Sequence, residues 1–260
     1  MPALDENYSM WNDHWDWSQQ GDEWSAAWGG PAHQWFNTLF PRLQGYVPAG
    51  RILEIAPGYG RWTHYLKELC SELVIVDLAD TAIAHCRERF AADEHVKAYV
   101  NDGTSLAMVE DGSVDLVFSF DSLVHVEQDV MYAYLAQIAE KLTEHGVAFL
   151  HHSNVGQYPP GSYDGDTIHW RATTVSAQLV EGIAEHVGLR AISQEKLAWG
   201  QDTLLNDCLS VITRQGSRWD RANVIAENLT FTTDEIATSK ARSVLYPAAR
   251  RDVAFTAAGS

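Results

Sequence analysis

The sequence predicts an α/β fold: an open, mostly parallel sheet covered by helices, reversed at its C-terminal edge, with a helical cap ahead of the first strand. Three observations predict it. Short apolar, β-compatible runs alternate with segments of helical spacing from about residue 51 onward. Glycines or acids close these runs, at Gly58 and Gly60, Asp77, Asp102-Gly103 and Asp121. The last two runs, 189–197 and 207–213, are joined without an intervening helical pattern, so they pair as an antiparallel hairpin.

Residues 1–50 form a segment of their own. They hold six tryptophans (Trp11, Trp15, Trp17, Trp24, Trp28 and Trp35) and six acids against one base, Arg42. Trp35, Phe36, Leu39, Phe40 and Leu43 share one face of a helix over 32–46, which Pro48-Ala49-Gly50 ends. Residues 51–56 then read as a strand buried on both faces. Pro57-Gly58-Tyr59-Gly60 breaks it, and Trp62, Tyr65, Leu66 and Leu69 mark the helix that follows. A second apolar strand, 73–76, runs into Asp77. The spacing continues with a helix over 81–90, a strand over 96–100, a strand over 114–120 and a long helix over 123–142. Gly146 turns the chain into a fifth strand, 147 to 151 or 152. A loop over 154–167 leads to a helix over 175–187 and the closing hairpin. Such units imply right-handed crossovers and a parallel sheet. Three parts are expected: a cap over 1–50, the sheet domain over 51–216 and an extension over 217–260, with a short helix at 236–246 and a disordered end at 256–260.

The composition narrows the function. Hydrophobic residues at 46% and charged residues at 20% suit a globular protein. The net charge of −17 disfavours nucleic acid and anionic membranes as partners. Cys70, Cys86 and Cys208 contain no C-x-x-C pair and point to reduced thiols. No run reaches 18 apolar residues, and the acidic start is unlike a signal peptide, so a cytoplasmic protein, monomer or homodimer, is expected.

The stretch 51–77 is a nucleoside-binding half-fold. Ligands bind at the carboxyl ends of strands in such sheets. Gly58 and Gly60 allow close backbone approach, and Asp77 is placed to accept from ribose hydroxyls. A dinucleotide fingerprint would read G-x-G-x-x-G. Here the frame is Glu54-x-Ala56-x-Gly58-x-Gly60 with no third glycine at that spacing. It resembles motif I of the class I S-adenosylmethionine (SAM) methyltransferases, with Ala56 in place of the first glycine. That resemblance implies a Rossmann-like sheet and SAM as cofactor. It places Glu54, Ala56, Gly58, Tyr59, Gly60, Asp77, Leu78, Asp102, Gly103 and Phe120 around SAM, with Asp77 on the ribose and Asp102 at the adenine amino group. From about residue 28 to 216 the chain is similar to enzymes of sugar and polysaccharide pathways. W-G-G-P-A-H-Q-W-F at 28–36, F-D-S-L-V-H-V at 120–126 and F-L-H-H-S-N-V-G at 149–156 carry that likeness. Some of those enzymes use magnesium, which would make Asp121 and His152 the nucleus of a metal site.

Transfer to a hydroxyl needs a base or a metal, because the proton leaves as the oxygen attacks. Three clusters at strand ends offer one. Asp121 and His125 follow the fourth strand; Asp121 either orients the acceptor, binds a metal or caps the next helix. His151 and His152 end the fifth strand, pointing to opposite faces. His152, nearer the loop, is the expected base, and His151 the alternative. His169 and Arg171 precede the sixth element and are placed to bind acceptor hydroxyls or a carboxylate. In the cap, Trp15 and Trp24, with Trp11 and Trp17, either pack as core or present a carbohydrate platform. The expectation is a SAM-dependent O-methyltransferase acting on a saccharide. The alternatives are a methyltransferase of a small phenol or amine, a non-catalytic SAM-binding module, and a nicotinamide dehydrogenase.

Overall fold

The computed structural model describes residues 3–164, 170–200 and 203–246. The cap begins with α1 (Leu4–Tyr8) and a π-helical turn, Ser9–His14. Two 3₁₀ turns follow, Trp17–Gln19 and Asp22–Trp28. The single helix expected over 32–46 is three short pieces: α2 (Pro31–Gln34), a π-helical turn (Trp35–Leu39) and α3 (Phe40–Leu43). Trp35, Leu39 and Leu43 are buried as the spacing requires.

The sheet then alternates with helices: β1 (Ala49–Ile55), α4 (Thr63–Leu66), β2 (Cys70–Asp77), α5 (Asp80–Arg89), β3 (Val96–Val100), β4 (Val114–Ser119), α6 (Gln128–Lys141), β5 (Leu142–Ser153), α7 (Ala177–His186), β6 (Leu189–Leu197) and β7 (Asp207–Arg214). Two elements follow the expected domain: β8 (Val224–Asn228) and α8 (Phe231–Leu245). The strand order is β3-β2-β1-β4-β5-β7-β6-β8. β7 runs antiparallel to β5 and β6, and the other pairings are parallel. The reversed hairpin is therefore present. β8, parallel to β6, is a mostly exposed strand that sequence spacing missed. Residues 256–260 lie outside the described residues.

Strand alternation divides the core in two. Leu53, Ile55, Val74 and Val76 face α6 and α7, with Met131, Leu135, Ile138 and Val180. Ile52, Leu73, Ile75, Phe118 and Phe149 face the cap, with Trp35, Leu39, Leu43 and Trp62. α8 covers the same side: Phe231 joins that core, and Ser239 Oγ donates to the Trp28 carbonyl at 2.8 Å. Arg42 on α3 ties the parts together, with Nε 2.9 Å from Glu195 of β6 and an Nη 2.9 Å from Glu235 of α8.

Two connections differ from the expectation in ways that move the site. The long helix over 123–142 is broken. Leu123–His125 is a 3₁₀ turn, and α6 starts only at Gln128. Glu127 between them is extended, and its carboxylate accepts the backbone N–H groups of Thr173 and Thr174. Nor does Gly146 begin β5. α6 runs straight into a strand that starts at Leu142, and Gly146 lies at the irregularity where pairing with β4 shifts register.

Candidate active site

The carboxyl ends of β1, β2 and β4 and the turns after them form one wall of a cleft, and the cap closes the other. The cleft encloses about 900 Å³ of empty space, counting the part open to solvent. Ala56, Gly58 and Tyr59 line it from the turn after β1, and Asp77 and Leu78 from the end of β2. Gly103 and the segment 120–123 complete that side, while Trp11, Trp17, Gln20 and Trp24 face them from the cap.

The turn after β1 is held in an uncommon backbone. Ala56, Gly58 and Gly60 all have positive φ, of 57°, 54° and 82°. At Ala56 that costs a residue with a Cβ about 1–2 kcal/mol, which explains why motif I prefers glycine there. Asp77 fixes the turn: its carboxylate accepts the N–H of Gly58 at 3.0 Å and of Ala79 at 2.9 Å. A carboxylate has about four acceptor sites, so these bonds leave capacity for a ribose hydroxyl. Burial pushes this carboxyl up to about 6, against the hydrogen bonds that lower it. Leu78, Ala82, Gly103 and Leu123 form an apolar slot next to this acid, a pairing of surfaces with the chemistry to hold a nucleoside.

Three expected cofactor contacts lie elsewhere. Glu54 is fully buried behind the turn, where Thr63 Oγ1 donates to it at 2.5 Å, so it holds the turn to α4 and does not face a ligand. Gly60 is a packing glycine: a Cβ there would stand 2.6 Å from the Phe90 ring. Asp102 is exposed and closes its own loop by accepting from Thr104 and Ser105, leaving Gly103 as the wall. Gly58 lies in the cleft, but the space beside its Cα is taken by the Trp17 ring, 2.9 Å from where a Cβ would stand. Trp17 also stacks on Tyr59, with centroids 4.4 Å apart.

Beyond the turn after β1, Asp121 and His125 line the same cleft. Asp121 is left-handed at φ 64°. Its Oδ2 is 3.1 Å from Arg61, and Oδ1 has no hydrogen-bond partner among the described residues. Arg61, which sequence reading passed over, is a buried basic residue of the turn. Its guanidinium lies between the Trp24 and Trp62 rings, 5.2 and 4.5 Å from their centroids, and donates to Ser25 Oγ at 3.1 Å. It pins the cap to the sheet. His125 Nδ1 is 3.0 Å from the Trp170 carbonyl. A carbonyl only accepts, so the ring proton sits on Nδ1 and Nε2 carries the lone pair. Burial holds this imidazole down at about 4, with the Arg171 charge acting in the same direction. Trp11 and Trp170 pack on the ring at 5.3 and 5.2 Å.

The expected base is corrected. His152 is fully buried on the other face of β5, with Nε2 2.7 Å from Ser210 Oγ and Nδ1 2.8 Å from the Ser153 carbonyl. The strand ends one residue later than expected, so His152 is still inside the sheet and cannot reach the cleft. The magnesium nucleus fails with it. Asp121 is committed to Arg61, His152 faces away, and no group of three His, Cys, Asp or Glu side chains among the described residues could hold a metal. His151 and Arg171 are also fully or nearly buried, one layer behind the cleft, and bind Asp207 instead of an acceptor. Trp15 packs on Trp11 and Trp24 and donates to Glu23, outside the lining, whereas Trp24 lines it. His169 lies outside the described residues.

This strand order, turn and cleft define a class I methyltransferase fold. Residues 52–146 match the family described as methyltransferase domain. No curated protein matches the chain in sequence. Among solved structures, the PH0226 protein from Pyrococcus horikoshii OT3 is similar at a TM-score of 0.54 and 20% identity, covering 80% of this chain and 96% of that one. Geranyl diphosphate methyltransferase in complex with SAM is similar at a TM-score of 0.56 and 13% identity, over 71% of this chain and 85% of that one. The CcbJ methyltransferase from Streptomyces caelestis is similar at 0.54 and 17% identity, over 71% and 95%. The chain shares the fold of these structures, and the stretch 52–146 within it carries the methyltransferase-domain match. No helix among the described residues is long and apolar enough to cross a membrane.

Proposed function

We propose that the protein transfers the methyl group of SAM to a hydroxyl of a saccharide. The observation that carries this reading is His125: a neutral imidazole in the cleft whose Nδ1–H is held by Trp170 and whose Nε2 has no partner among the described residues. An amine acceptor needs no such base; a hydroxyl does. When bound, SAM supplies an electrophilic methyl group on a sulfonium centre. His125 Nε2 takes the hydroxyl proton as the oxygen attacks. The Trp170 carbonyl keeps the ring oriented, and Asp121 offsets the charge the ring acquires. Asp121 Oδ1 accepts from a neighbouring hydroxyl and so orients the acceptor. Trp11 and Trp24 offer faces for the apolar side of a sugar ring, and the cap excludes water.

A diphosphate acceptor, named for one of the similar structures, is disfavoured here. The basic group in the cleft, Arg61, already faces Asp121 and feels Asp22 and Glu23. The test is release of S-adenosylhomocysteine with a panel of mono- and oligosaccharides, with and without magnesium. Product on one saccharide class, unchanged by chelation, supports the reading. Silence across the panel with SAM bound overturns it and turns attention to a phenol, for which the aromatic lining also provides contact.

A further inference from the structure

Among the buried groups with no part in the transfer as proposed, Arg171, Asp207 and His151 form one cluster. Arg171 is 5% exposed, and the other two are 0% exposed. Arg171 grips the Asp207 carboxylate with two nitrogens, at 3.0 and 2.9 Å. His151 Nε2 is 3.0 Å from the same carboxylate, and the backbone N–H of Asp121 donates to His151 Nδ1 at 3.1 Å. A backbone N–H only donates, so Nδ1 must carry the lone pair and Nε2 the proton, which Asp207 accepts. Burial would raise Asp207, but Arg171 and His151 outweigh it and hold this carboxyl well below the usual range. It stays anionic and keeps the tautomer in place. At the far end, Ser122 Oγ donates to the Ala56 carbonyl at 2.9 Å and holds the same turn from the other side.

Such a group is not needed for packing. Apolar residues of similar volume often stabilise a core as well as a buried ion pair does. What it supplies is a directional acceptor under one peptide N–H, that of a residue in a left-handed conformation. We infer that His151, oriented by the Arg171–Asp207 pair, is a positioning residue that fixes the Asp121 backbone and so aims its carboxylate at the acceptor. The inference rests on the proposed O-methylation for its kinetic consequence, but not for its geometry.

Two variants of the full-length protein separate positioning from support of the fold. In His151→Asn the side-chain oxygen takes the place of Nδ1 and still accepts the Asp121 N–H. In His151→Gln the amide nitrogen takes the place of Nε2 and still donates to Asp207, but Asp121 loses its acceptor. Small misplacements of a reacting group cost up to about 100-fold. H151Q is therefore expected to lose about 10- to 100-fold in kcat/KM on the saccharide acceptor, with SAM affinity by calorimetry within about threefold of wild type. H151N recovers most of the loss. Amide exchange at Asp121 is slow in wild type and H151N and fast in H151Q. Equal losses in both variants, or an Asp121 amide still protected in H151Q, overturn the inference. So does a wild-type His151 ring with its proton on Nδ1, read by long-range proton–nitrogen correlation, which needs no variant to fold. If no saccharide is methylated, the O-methylation reading fails, and ring tautomer and amide exchange alone decide the relay.

Discussion

Glu54 is the residue whose replacement most directly tests the electrostatics of the motif turn. It is 1% exposed, its nearest donor is Thr63 Oγ1, and burial pushes its carboxyl up to about 8 from 4.5, with the Asp77 charge adding to the rise and the Thr63 hydrogen bond opposing it. The folded value lies above the unfolded one. Below pH 4.5 both states hold the proton and Glu54 contributes its full stability. Between pH 4.5 and 8 the unfolded chain releases the proton while the native state retains it, so stability falls as pH rises. Each pH unit in that window costs about 1.4 kcal/mol. The loss reaches about 3 kcal/mol at pH 7 and approaches 5 above pH 8. Glu54→Gln has nearly the same shape, accepts from Thr63 and does not titrate. Urea unfolding from pH 4.5 to 8 should show E54Q close to wild type at the acid end and more stable by about 3 kcal/mol at pH 7, with the urea dependence unchanged. Stability curves that run parallel, or a variant that loses ground as pH rises, would refute the assignment of a neutral Glu54.

His125→Gln should lower kcat about 10²- to 10⁴-fold, as loss of a general base does, with little change in SAM affinity by calorimetry. Because burial holds His125 down at about 4, its acid limb in a pH–rate profile should fall near pH 4 and not near 6.5. His152 is held at about 4 for the same reason. The unfolded chain takes up its proton below pH 6.5, and the native state only below about 4. Stability should therefore decline as pH falls through that window, by about 1.4 kcal/mol per unit, and His152→Asn should remove this part in acid titrations of denaturant midpoints. Arg42→Met leaves Glu195 and Glu235 without their shared partner. These groups are about one-fifth to one-quarter exposed, so we expect a loss of about 1–3 kcal/mol in urea unfolding, less than for a fully buried pair.

Local physics determined much of this protein. The period of apolar residues marked seven of the eight strands, because a strand buried on both faces leaves a continuous apolar run. β8 left no such trace: it is mostly exposed, as β3 is, and its apolar run Val224-Ile225-Ala226 gives way to Glu227-Asn228. In the spacing Glu54-x-Ala56-x-Gly58-x-Gly60 with Asp77, the positions Ala56, Gly58 and Asp77 marked the cleft, because a tight turn with positive φ has few residues that permit it. His125 and Asp121 were legible as candidates from their place after β4. What sequence could not decide was which polar residue faces the cleft. His151 and His152 are neighbours in the chain, yet one anchors Asp121 and the other bonds Ser210 across the sheet. That difference arises where β5 ends and which face each ring takes, and both are set by pairing with β7, remote in sequence. Arg61, for which the sequence suggests no role, lines the cleft, and Trp15, expected to bind substrate, does not, for a similar reason. The cap folds back over the turn, and only that packing puts an arginine between two tryptophans inside the cleft and leaves Trp15 outside it.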